Sequence, residues 1–187
     1  MKQATTTLIA LIALCVAIPA SAEYLPSEEN EREVVSSRAR VADFLESRAF
    51  VASRLSLRKY SSDVVADLSS IAKDGNVSDE IRSRAVDCLA LYRSDARARK
   101  TVERLVETQK PGSPLFEEAL LAFAQLEGER AVSTLAEFAD SSKQSVRTAV
   151  VVALGRFGGQ KGFRLLKKRA HLEQNADVRS HIERYVR

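Results

Sequence analysis

From Ser145 to Gly158 the chain reads SVRTAVVVALGRFG, and its centre, Ala149 to Leu154, is apolar on every side. A helix with no polar face has to be packed on both sides. The same kind of segment stands upstream at Asp79–Tyr92 (DEIRSRAVDCLALY) and Pro114–Leu126 (PLFEEALLAFAQL), and returns in outline at Ala176–Arg187. Other stretches carry a single apolar stripe. From Arg32 to about Ala49 the stripe is Val34, Val41 and Leu45, as expected of a capping helix with one packed face. From Lys161 to Leu172 it is Phe163, Leu166 and Ala170.

Helix punctuation fills in the order. The pattern predicts short helices over Phe50–Leu57 and from the Ser62-Asp63 cap to Lys73, with a stop at Asp74-Gly75-Asn76. Ser78 or Asp79 caps the next helix, and Arg93-Ser94-Asp95 is a turn into another that ends near Gln109. Ser113 followed by Pro114 is a strong helix start. Further helices follow over Glu129–Ala139, from Ser145 to Gly158-Gly159, over Lys161–Leu172, and from the Asn175 cap. Ala85 and Ala119 lie 34 apart, Ala119 and Ala149 30, and Val146 and Val178 32. A repeated helix–turn–helix at that period predicts an all-α solenoid of about four helical hairpins.

Composition agrees with a folded helical chain: hydrophobics are 45% and charged residues 29% of 187, with only four Pro and seven Gly. The first 22 residues stand apart. Lys2, the apolar run Leu8–Ile18, Pro19 and the Ala20-Ser21-Ala22 site form a secretory signal peptide, expected to be cut after Ala22. Leu14 before Cys15 argues against a lipidation box, which needs a small residue there. Residues 23–33 form an acidic tail, and 34–187 the repeat domain. With Cys15 removed, Cys88 is left alone, so stability has to come from packing.

Several second helices open with a polar cap and an aliphatic–Arg pair: Ile81-Arg82, Val146-Arg147 and Val178-Arg179. In the central unit Ala149, Ala153-Leu154-Gly155 and Phe157-Gly158 follow. Over about 63–187 this resembles the HEAT repeat, in the short form of phycobilisome-lyase-like arrays. Leu115-Phe116-Glu117 departs from the pattern by lacking the Arg, and the period is shorter than the 40–47 residues usual for HEAT. The 34-residue spacing also suits tetratricopeptide repeats, but Trp is absent and their motif is not found in register. The resemblance implies binding of macromolecules along a concave face lined by the second helices, and a recurring Arg that bonds to acidic or backbone groups of the adjacent unit.

Charge is unevenly spread. Residues 143–187 carry 11 Lys/Arg and 3 Asp/Glu, a net of +8, whereas 23–142 carry 17 and 22, a net of −5. The basic excess concentrates on KGFRLLKKRAHL, either a solvated face or a site that attracts an anionic partner. No stacking aromatics interleave these residues, so nucleic acid is not the expected partner. An acidic protein is, with peripheral contact to anionic membrane or envelope polymer as an alternative. The candidate partner-binding residues are Arg147, Arg164, Lys167, Lys168 and Arg179.

Catalytic signals are missing. The paired carboxylates Asp79-Glu80 and Glu117-Glu118 sit at helix starts, where the helix dipole accounts for them. Cys88 shares helical spacing with Ala85, Leu89 and Tyr92 and reads as a core thiol. His171 and His181, on different helices, lack metal-ligand company. The expectation is therefore a non-enzymatic scaffold without cofactor or metal, periplasmic or secreted. A lyase-like cofactor-attachment factor is the alternative implied by the resemblance.

Overall fold

The computed structural model describes residues 28–47 and 50–187. The signal peptide expected over 1–22 and the start of the acidic tail lie outside them. Among the described residues the chain is all-helical, with no strand: α1 (Glu28–Glu46), α2 (Arg54–Leu57), α3 (Val64–Lys73), α4 (Asp79–Leu89), α5 (Ala96–Thr108), α6 (Pro114–Glu127), α7 (Val132–Phe138), α8 (Gln144–Phe157), α9 (Gly159–Arg169) and α10 (Ala176–Val186).

Caps fix most of the helix starts. The side chains of Asp63, Ser78, Ser113 and Asn175 accept hydrogen bonds from the first-turn N–H groups of α3, α4, α6 and α10. Three elements differ from the pattern. Over 50–57 only one turn forms, because Val51 and Leu55 point to solvent while Leu57 alone reaches full burial. The helix expected from Glu129 opens as a 3-10 turn over Gly128–Ala131 before α7. The acidic residues from Glu28 onward belong to α1.

The helices pair as hairpins α3/α4, α5/α6, α7/α8 and α9/α10, with α1 packed on α3 and α4 at one end. The second helices form one layer, α4 on α6 on α8 on α10. Their apolar ridges supply most of the core, including Ala85, Leu89, Leu120, Val150, Leu154 and Ile182. The α8 helix packs on α6, α7, α9 and α10, its immediate neighbours on either side, which is how the doubly apolar stretch Ala149–Leu154 is covered. Two close approaches need glycine. A Cβ at Gly155 would overlap the Tyr185 ring of α10, and one at Gly162 would meet the Leu154 carbonyl of α8.

Side-chain hydrogen bonds between units follow the same period. Arg38 bonds Ser70, Thr101 bonds Ser69, Gln125 bonds the Ala90 carbonyl, Lys143 bonds the Pro111 carbonyl and Asn175 bonds Gln144. The partners are 31 to 35 residues apart in every case, so each unit is fastened to the next.

Candidate functional site

The recurring Arg is a structural ladder. Arg82 Nε donates to the Ala72 carbonyl at 3.1 Å, Arg147 Nη1 to the Ser141 carbonyl at 2.8 Å, and Arg179 Nη1 to the Glu173 carbonyl at 3.3 Å. Each Arg thus serves a carbonyl of its own hairpin, at the end of the preceding helix or in the turn after it, and not one of the adjacent unit as expected. Arg82 also pairs with Asp79 at 2.8 Å. In the α6 unit, counted from the helix cap, the position is Glu117, and the residue before it, Phe116, is fully buried and packs edge-on against Phe138.

Arg147 reaches further than its counterparts. Its Nε and Nη2 grip both carboxylate oxygens of Glu173 at 3.0 and 3.1 Å, a bidentate pair across two units. Arg169 also approaches Glu173, at 3.5 Å, and pairs with Asp140. Glu173 is 6% exposed, and its carboxylate accepts the Asn175 N–H as well. Burial alone would raise its pKa, but the Arg147 hydrogen bonds, the Asn175 N–H and the two guanidinium charges hold it below the usual value. Sequence reasoning missed Glu173. The one available signal was its place two residues before the Asn175 cap.

The free face of the second helices carries Arg84 and Asp87 on α4, Glu117, Glu118 and Leu121 on α6, Thr148, Ala149 and Val152 on α8, and His181 and Arg184 on α10. Where α6 meets α8 these positions border a groove of about 620 Å³, walled by Glu117, Glu118 and Leu121 on one side and Thr148, Ala149 and Val152 on the other. Along the helix layer the face carries Arg84, Asp87, Glu117 and Glu118 on α4 and α6, then the apolar Leu121, Ala149 and Val152, then His181 and Arg184 on α10.

Asp87 and Glu118 belong to neighbouring helices, and each is partly buried. Neither has a hydrogen bond or ion pair among the described residues. Burial pushes both pKa values up. That of Glu118 reaches about 7, with the Asp87 charge adding to the burial effect.

The five residues expected to contact a partner fall into two groups. Arg147 and Arg179 are ladder residues, at the starts of α8 and α10. Arg164, Lys167 and Lys168 lie on α9, in the first-helix layer, exposed and without an ion pair among the described residues. The fold does not bring the two groups together on one helix face.

Cys88 is fully buried, and burial with the neighbouring Asp87 charge pushes its thiol up to about 12, so it stays protonated and unreactive at neutral pH. Among the described residues no His, Cys, Asp or Glu group is placed to hold a metal ion. No described helix is long and apolar enough to cross a membrane.

Residues 115–187 match the family model for HEAT repeats. No curated protein matches the chain. HEAT repeats generally mediate protein–protein interaction, and the family is typically a non-enzymatic scaffold. With that match over residues 115–187 and stacked helical hairpins among the described residues, the chain is consistent with a HEAT-like repeat protein.

Proposed function

We propose that this protein is an exported, non-enzymatic scaffold that holds a protein partner against the free face of its second helices. The observation that carries the reading is the groove between α6 and α8, with Glu117 and Glu118 at its edge, on the second-helix layer of a HEAT-like array. Partner-binding proteins of stacked hairpins present such extended surfaces because each unit contacts only its neighbours. The basic C-terminal third supplies long-range attraction for an acidic region of the partner. Arg164, Lys167 and Lys168 are the residues best placed for it, being exposed and unpaired by ions among the described residues. Arg147 and Arg179 contribute positive potential while bonded within the ladder.

The test is crosslinking in cells of the exported protein, with photoreactive residues at Thr148 and Val152, followed by capture with purified components at several salt concentrations. The expected result is a protein adduct at the second-helix face. Reversal of Arg164, Lys167 and Lys168 to Glu should weaken capture and flatten its salt dependence. Unchanged capture by the triple variant would remove the electrostatic part of the reading, and absence of any adduct at the face would remove the scaffold part. Export has its own check: the N-terminus of the protein recovered from the cell envelope should be Glu23.

A further inference from the structure

Asp87 and Glu118 are two carboxylates on adjacent helices, each partly withdrawn from water and each without a cation. The groups around Glu118 leave that deficit unfilled. Its own helix offers Glu117, α4 offers Asp87, and across the groove α8 offers Gln144, Ser145, Thr148, Ala149 and Val152. Both Arg of α4 are committed elsewhere: Arg84 pairs with Glu80, donates to the Leu45 carbonyl and lies over the Phe50 ring, and Arg82 pairs with Asp79 and donates to the Ala72 carbonyl. Of the two Arg of α8, Arg147 is bound to Glu173, and Arg156 lies in the last turn, at the other end of the helix from Gln144, Ser145 and Thr148. Uncompensated carboxylates in a partly buried site are costly, and a cation arriving from outside recovers that cost. The apolar wall beside them fixes what that cation must be attached to.

We propose that this end of the face receives a Lys or Arg side chain of a partner polypeptide, seated against Asp87, Glu117 and Glu118, with an aliphatic neighbour over Leu121, Ala149 and Val152. The inference rests on the scaffold reading and names the chemistry of the docked segment: cationic, then aliphatic. It leaves the partner's acidic region to the basic end of the molecule. The raised pKa of Glu118, about 7, makes the seat sensitive to pH. As pH falls through that value Glu118 gains a proton, the site loses a negative charge, and the cation is held less well.

The probe is a labelled alanine-based peptide bearing a lysine pair followed by two leucines, compared with a twin carrying glutamine in place of lysine. Binding to the purified protein is read by fluorescence anisotropy at low salt. The expected result is binding of the lysine peptide about tenfold tighter than its twin. That preference should shrink as the pH is lowered through 7. The double variant Asp87→Asn, Glu118→Gln should erase the preference while leaving the twin unchanged, and Glu118→Gln alone should erase its pH dependence. Thermal melts of both variants verify folding, and the single variant decides if the double one does not fold. The inference falls if the lysine peptide fails to bind, or if it binds wild type and variants alike. In either case a partner adduct at Thr148 or Val152 keeps the scaffold reading alive, whereas its absence sinks both.

Discussion

At the residue scale the informative side chains are those whose surroundings do not suit them. Glu118 is an acid that its site prefers neutral: its pKa rises from 4.5 to about 7, chiefly by burial. Such a group is bound to a proton in the folded chain where the unfolded chain has already lost it. Stability on its account is greatest below about pH 4.5 and declines until about pH 7, above which the full penalty remains. Glu118→Gln should remove that decline and raise stability near pH 8 by about 1 kcal/mol, a figure reduced for the part of the side chain that water still reaches. Chemical denaturation at several pH values measures it. A variant with an unchanged pH profile would contradict the assigned environment. Glu173 is the opposite case. Its carboxylate is buried, yet three sets of donors hold it ionised.

At the scale of elements, Glu173 fastens α8 to the loop before α10. Arg147 comes from α8 and Arg169 from the end of α9, so one carboxylate ties two helices to the loop before α10. Replacing it with Gln keeps the shape but strips the charge from two buried cationic contacts, at a cost of about 3 kcal/mol. Its depressed pKa sets the sign for acid: this stabilisation is present above the unfolded carboxylate pKa and lost as pH falls through the lower folded value. Urea titrations of Glu173→Gln and wild type should therefore differ near neutral pH and converge in strong acid. A constant difference down to the lowest pH would mean that the contact acts through packing alone. Gly155 works in the same joint by a different means, since only its missing Cβ lets the Tyr185 ring of α10 lie on α8.

For the whole molecule, neighbour-only contact is the governing property. The hydrogen bonds between units span close to one period, and each second helix packs on the next one along. Stability is then close to a sum of unit and interface contributions, and damage spreads from where it is made. Leu120→Ala, in the fully buried middle of α6, should cost about 3 kcal/mol and raise amide exchange in α4 and α8 alike. Glu173→Gln should raise exchange in α9 and α10 while α3 keeps its protection. Uniform loss of protection in both variants would indicate a single cooperative core instead of a stack. Charge is distributed on this same scale: Asp87, Glu117 and Glu118 fall on the second helices α4 and α6, whereas Arg164, Lys167 and Lys168 fall on α9, in the first-helix layer at the other end of the stack.

The helical stack was legible in the amino-acid order because its causes are local. Capping by Asp63, Ser78, Ser113 and Asn175 depends on hydrogen bonds within a turn, and the doubly apolar Ala149–Leu154 can be satisfied only between neighbouring helices. The recurring Arg could be found by spacing alone. What it bonds to could not, because Ala72, Ser141 and Glu173 are brought near by how each hairpin closes. The same limit hid the site. Glu118 beside Glu117 at a helix start is fully explained by the helix dipole when read along the chain. Only the packing of α4 and α8 against α6 withdraws it from water, sets Asp87 nearby and opens the groove. Periodicity depends on neighbours in sequence, and so a sequence carries it; an unpaired charge depends on neighbours in space, and so only the folded molecule reveals it.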